Sequence, residues 1–134
     1  MDILVSNLRT FLLESSAIET AFAGGIYVVH NPKLDSETAT YPFAVIKTVT
    51  DQPMYHMQGE ALREAVIQID TYDQTLAGAV TNAALIRARL TGKLGKVGAI
   101  EVGSIFVNDW REDWAPEARH FRVLNRFSIN WTVT

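Results

Sequence analysis

Toward its C-terminus the chain alternates apolar and polar residues almost without error. Phe121, Val123, Phe127, Ile129, Trp131 and Val133 fall on one side of a period of two, and Arg122, Arg126, Ser128, Asn130 and Thr132 on the other. Successive side chains of an extended chain point to opposite faces, so this pattern predicts a long β-strand with one buried face. Leu124 and Asn125 interchange the expected types. A strand of this kind needs an apolar layer against it, and amphipathic helices earlier in the chain can supply one.

Leu4, Val5, Leu8, Phe11 and Leu12 share one helical face, with Asp2 placed to cap the free amides ahead of them. Ser16 followed by Glu19 has capping-box spacing and predicts a second, shorter helix whose apolar side is Ile18, Ala21 and Phe22 and which Gly24-Gly25 stops. Residues 26–29 read as a brief extended piece, and 31–40, polar and holding Pro32, as a surface loop. A strand over 43–49 follows Tyr41-Pro42, and a second over 64–72 places Ala65, Ile67 and Ile69 opposite Gln68, Asp70 and Tyr72, with 52–59 as the loop between them. Asp73 or Thr75 caps the longest helix, in which Leu76, Ala79, Val80, Ala83, Ile86 and Leu90 form the buried stripe and Gly92 the stop. Leu85 lies off that stripe and is expected to make a contact outside the domain. Residues 93–98 read as a Gly/Lys turn, 100–107 as a strand weakened by Gly103, and 108–119 as a polar connection holding Trp110, Trp114 and Pro116. The expected fold is α+β in the order α-α-β-β-α-β-β. It is a mainly antiparallel sheet of about four strands with helices packed on one face. With no repeat or linker, residues 1–134 form a single domain.

Composition narrows the function classes. A hydrophobic fraction of 48% with 20% charged residues is that of a globular domain. The formal net charge of −3 disfavours a domain that holds nucleic acid by neutralising phosphates. The absence of Cys excludes disulfides, thiolate metal sites and Cys nucleophiles. Ala21-Phe22-Ala23 resembles a signal-cleavage site, but the segment before it opens with Asp2 and is interrupted by Asn7, Arg9 and Thr10. No stretch approaches the roughly twenty apolar residues of a membrane span, so a soluble protein without membrane partners is expected.

Reactive constellations are scarce. His30, His56 and His120 have no ligand partner at helical metal-binding spacing, and there is no nucleophile elbow, Walker-type lysine loop or dinucleotide glycine fingerprint. Gly92, Gly95 and Gly98 follow a helix and read as a turn. Glu112, Asp113 and Glu117 form an acidic cluster, and Arg87, Arg89, Lys93 and Lys96 a basic patch that suits a helix C-terminus; both are the ordinary dress of a solvated surface. No catalytic, metal or cofactor site is expected. Two groups stand out because large apolar side chains occupy what reads as loop: Met54, Tyr55, His56 and Met57, and the pair Trp110 and Trp114. Trp, Tyr and Met are enriched at the centres of protein interfaces, so these residues, with Leu85, are the candidate partner or oligomer surface. The alternative for the Trp pair is packing onto its own sheet.

The order of these pieces is familiar. Leu8-Arg9-Thr10-Phe11-Leu12-Leu13 leads to Gly24-Gly25-Ile26-Tyr27, then Tyr41-Pro42-Phe43-Ala44-Val45-Ile46, then Arg63-Glu64-Ala65-Val66-Ile67-Gln68-Ile69-Asp70-Thr71-Tyr72, then a long helix ending in Arg89-Leu90, an acidic segment and a strand with Arg122, Phe127, Ile129 and Trp131. This succession resembles the tail-completion, or tail-terminator, proteins of long-tailed bacteriophages, prophages and gene transfer agents. The resemblance implies a non-enzymatic virion structural protein, made in the bacterial host cytoplasm, that forms a ring, commonly hexameric. Such a ring ends the tail tube and joins tail to head, with the tail-tube protein and head–tail connector proteins as partners. DNA then enters only as passing cargo, and no cofactor is implied. The acidic segment and its Trp pair take no role from the family. Competing expectations are another head–tail connector or minor tail subunit, and, from a different class, a small-molecule-binding α+β module using Asp70, Tyr72 or the acidic segment.

Overall fold

The structure, a computed structural model, describes residues 3–32, 40–56, 59–116 and 119–133. Its elements are α1 (Ile3–Leu13), α2 (Ser16–Ala21), β1 (Ile26–Val28), β2 (Phe43–His56), β3 (Gly59–Asp73), α3 (Leu76–Leu90), β4 (Gly95–Val97), β5 (Ile100–Ala115) and β6 (His120–Val133). The strands form one six-stranded sheet in the order β1-β2-β3-β6-β5-β4. β1 runs parallel to β2, and every other ladder is antiparallel. This overturns the expected sheet of about four mainly antiparallel strands with helices on one face: the sheet is mixed, curled and half as wide again.

The excess strand comes from places where local pattern is weakest. The presumed loop 52–59 is largely ladder, because β2 and β3 stay paired from Phe43↔Tyr72 out to His56↔Gly59. The presumed connection 108–119 is mostly β5, paired with β6 as far as Ala115↔His120. Residues 95–97 of the Gly/Lys turn form β4 against Ile100–Val102. The brief extended piece is β1.

One core ties the elements together. Leu4, Val5, Leu8 and Leu12 of α1, Ile18 of α2, and Ile86 and Leu90 of α3 are buried with Ile46, Ile67, Ile69, Ile105, Phe127, Ile129 and Trp131. At about 1.5–3 kcal/mol per large apolar side chain, this burial is the main stabilising contribution. The odd pair in the last strand is explained by what lies above it. Asn125 is fully buried on the core side, where its amide donates to the Ala83 carbonyl (3.4 Å) and its oxygen accepts from Arg87 Nη1 (2.8 Å). A polar residue is therefore satisfied at a position the alternation assigns to an apolar one.

Caps fix the helix ends. The Ser15 hydroxyl, rather than that of Ser16, accepts from Ile18 N to start α2. Thr75 Oγ1 accepts from Gly78 N at 3.1 Å to start α3. The expected cap Asp2 lies outside the described residues. Within the stripe expected for α3, Leu76 is 41% exposed while Ala79, Ala83, Ile86 and Leu90 are buried. No described helix is long and apolar enough to cross a membrane.

Candidate functional site

Met54, Tyr55 and His56, expected on a loop, are the final residues of β2, while Met57 lies outside the described residues. Their backbone pairs with Leu62, Glu60 and Gly59 of β3. The β3–β6 ladder, however, stops at Arg63↔Trp131. Among the described residues, the end of the β2–β3 hairpin is thus a two-stranded arm that runs past the last residue backed by a third strand. At its base, Asp51 holds Arg63 in an ion pair (3.2 Å) and accepts from the Trp131 indole (3.3 Å).

Trp110 and Trp114 lie on β5, in register with Asn125 and Phe121 of β6. Both therefore share the core side of the sheet, with Glu112 between them, yet they remain 55% and 46% exposed because β5 outruns its helical cover. The Arg87 guanidinium sits 4.6 Å from the centre of the Trp110 ring, and the Trp114 ring packs at 4.5 Å on Phe121. Burial lowers the Arg87 pKa, against the opposing pull of Glu112. Self-packing and exposure thus coexist: each indole has one face on its own domain and the rest open. Leu85 is half-buried and packs against the main core. The structure does not bring these groups together, since the arm and the indoles occupy opposite margins of the sheet. The sequence sign for the strip was the spacing Trp110, Glu112, Trp114, which is period two with both faces polar enough to read as loop.

The second face of the sheet carries a linked polar row. Arg126 Nε donates to Gln68 Oε1 (3.3 Å), and Gln68 Nε2 donates to the carboxylate of Asp70 (3.0 Å). Arg122 pairs with Asp113 at 2.7 Å. Burial raises the Tyr72 phenol pKa, and the Asp70 charge adds to this. Burial pulls Arg122 down, but the hydrogen bond to Asp113 and the charges of Asp70 and Tyr72 outweigh it and leave the guanidinium raised. The same hydrogen bond holds the Asp113 carboxyl low. Beside this row His120 is buried against Tyr41 and Tyr72, with Phe43 stacked on Tyr72, and its Nδ1 is hydrogen-bonded to the Tyr41 hydroxyl at 2.8 Å. Burial and then the Arg122 charge lower the His120 pKa, so near neutrality the ring is uncharged and shares one hydrogen bond with the phenol.

Tyr72, Asp113, Ala115, His120 and Arg122 border a cleft of about 330 Å³. Its polar groups are engaged with one another: the cation with an anion, the imidazole with a phenol rather than a carboxylate. No oriented base and nucleophile result. A second groove of about 460 Å³ lies between α1 and β1, where Arg9 Nε donates to the Ile26 carbonyl at 2.6 Å. Of the basic patch, Arg89 is committed to Phe11, donating to its carbonyl at 2.9 Å and lying 4.0 Å from its ring centre. Among the described residues no group of three or more His, Asp or Glu could hold a metal ion.

What remains distinctive is the outline of the sheet. β1 covers only Ala44–Ile46 of β2, and β4 covers only Ile100–Val102 of β5, with Gly92 N adding one bond to the Ile105 carbonyl. Beyond those short covers, and among the described residues, the outer sides of the two longest hairpins carry no further ladder. Residues 6–131 match the family model for tail completion protein gp17. The chain belongs to that family. Tail completion proteins are structural parts of phage-type virions, and this is the class of the present chain. Its fold is similar to that of a solved chain from the virion of a native gene transfer agent particle. The TM-score is 0.66 at 13% identity, over 92% of this chain and 90% of that one. A search of curated proteins found no match.

Proposed function

We propose that this tail completion protein is a ring-forming subunit that closes the end of the tail tube and joins the tail to the head. It acts by docking, without turnover. Its partners are further copies of itself, commonly six to a ring in such proteins, together with the tail-tube protein and head–tail connector proteins. DNA passes through without being held. The observation that carries this reading is the family match over nearly the whole chain. Two features of the molecule support it. The sheet leaves outer strand sides on both margins, and head-to-tail contacts between different surfaces of one chain are the kind that close into rings. The polar groups of the cleft are mutually satisfied, which fits a structural rather than a catalytic face.

The test is the native mass of the purified chain by light scattering and mass spectrometry, alone and mixed with tail tubes, with electron microscopy of the product. A closed oligomer seated at a tube end is the expected result. A chain that stays monomeric under all these conditions, or that binds along the tube rather than at its end, overturns the reading.

A further inference from the structure

We propose that the groove between α1 and β1 takes an extended acidic peptide segment of a partner protein, with its carboxylate on Arg9 and its backbone along the open side of β1. The groove is complete within one copy, so this binding stands whether or not the chain closes into a ring.

β1 is the outermost strand on its margin of the sheet. Ala44 N donates to the Gly25 carbonyl (3.0 Å) and Val29 N to that of Ile46 (2.9 Å). In a parallel ladder alternate residues bond to the neighbour, so residues 25, 27 and 29 face β2 while Ile26 and Val28 turn their backbone groups outward. Both outward carbonyls are taken: that of Ile26 accepts from Arg9 Nε at 2.6 Å, and that of Val28 from His30 N at 2.8 Å. The Ile26 and Val28 amides have no acceptor among the described residues. A further strand must give and accept in turn along its ladder, so it is poorly served here. What this margin offers is N–H groups.

Charge and spacing identify the occupant. Arg9 is half-buried, and no Asp or Glu lines the groove. Among the described residues no carboxylate pairs with its guanidinium. A guanidinium fixed at Nε presents its remaining N–H groups in a planar fork that matches a carboxylate. An extended residue turns its N–H and C=O to the same side, so the Ile26 amide stands beside the Arg9 head that its carbonyl holds. The Val28 amide follows one two-residue repeat further on, about 6.6 Å away. On the helix wall, Ser6 and Thr10 spend their hydroxyl hydrogens on the Ile3 and Ser6 carbonyls, which leaves oxygens able to accept. A lone anion uses only the Arg9 end of this arrangement. A peptide carrying a carboxylate at one position and a backbone carbonyl and amide two residues on uses both walls, and about 460 Å³ holds such a short segment.

The probe is an end-blocked pentapeptide with a central glutamate between valines, titrated into the isotope-labelled full chain, with its glutamine counterpart and acetate as controls. The amide resonances of Ile26 and Val28 are expected to move. Half-saturation should come at roughly fivefold lower concentration for the glutamate peptide than for the glutamine one, the margin of a charge-assisted hydrogen bond over a neutral one. Arg9→Gln should abolish that preference. Because Arg9 also ties α1 to β1, Thr10→Glu provides a second variant: it keeps the tie, sets a carboxylate in the groove and should likewise erase the preference. Equal binding of the two peptides by the parent chain, a preference that survives both substitutions, or shifts confined to residues away from β1 overturn the site. Acetate that saturates the same amides at the same concentration as the peptide marks an adventitious ion only and overturns the peptide assignment. A chain that binds the acidic peptide in this way yet never assembles upholds the groove and removes the ring reading.

Discussion

At the scale of single residues, the clearest constraints come from a glycine and a histidine. A Cβ added at Gly24 would fall onto the Thr40 carbonyl and close to that of Pro42, which also accepts the Gly24 amide at 2.8 Å. Both obstacles are backbone leading into β2, so neither yields by a rotamer change. Gly24→Ala is expected to cost about 3 kcal/mol, the upper part of the range for overpacking. At Gly92, with φ of +78° and open space around it, the same change costs only the left-handed penalty of about 1 kcal/mol. Urea denaturation of the two variants checks the order. His120 makes a different prediction. Its folded pKa lies below 6.5, so the unfolded chain takes up the proton first as pH falls. Stability is therefore fully present above the unfolded value and is lost as pH drops through it toward the folded value. Thermal midpoints should decline from pH 7 to pH 5, and His120→Gln should flatten that segment of the profile. The Asp113 contribution leaves a separate, more acidic step: its depressed carboxyl gives stability present above the usual carboxylate range and lost as pH falls through its folded value.

Elements were legible wherever they bury a face. The periodicity of Leu4, Leu8 and Leu12, of Ala79, Ala83 and Ile86, and of Phe127, Ile129 and Trp131 marks α1, α3 and β6 because each lies against the common core. Where a strand leaves the core, the code disappears. Residues 50–56 and 108–115 are held by neighbouring backbone rather than by an apolar layer, so their mixture of Thr, Asp, Gln, Arg and Trp carries no period that separates ladder from loop. That is why both hairpins read short in the sequence and why residues 52–56 and 108–115 read as loop. Of the three-residue strands, β1 coincides with the brief extended piece read at 26–29, whereas β4 was hidden because its glycines and lysines read as a turn although they pair back onto Ile100–Val102. Capping was legible to within one or two positions, and it can be tested on α3. Thr75→Ala removes the side-chain acceptor of Gly78 N and should cost about 1 kcal/mol. Thr75→Asp should keep the bond and add a favourable charge at the helix start. Thermal melts of the pair, compared with the parent, give the sign directly.

At the scale of the whole molecule, the residues read as loop-borne lie on strands instead, Met54, Tyr55 and His56 on β2 and Trp110 and Trp114 on β5, and this placement changes the argument. Two loops that simply bear apolar residues would say little about assembly. An arm on one margin and an aromatic strip on the other define a direction, and a direction is what a closed ring requires of its subunit. Charge bears on what such a ring could admit. The chain carries 15 acidic and 12 basic residues, and several of the basic ones are already committed: Arg122 to Asp113, Arg63 to Asp51, Arg87 to Trp110 and Asn125, and Arg89 to Phe11. Acidic residues outnumber basic ones in the subunit, so a passage built from it should let duplex DNA slide rather than hold it. The assembled oligomer is therefore expected to leave short duplex DNA unshifted in gel mobility assays at 150 mM salt. Any retention at low salt should vanish with a shallow dependence on salt concentration. A steep dependence, equivalent to release of many counterions per ring, would mean that copies converge their free basic groups on the channel wall, and the passive-passage idea would fall while the ring itself remained.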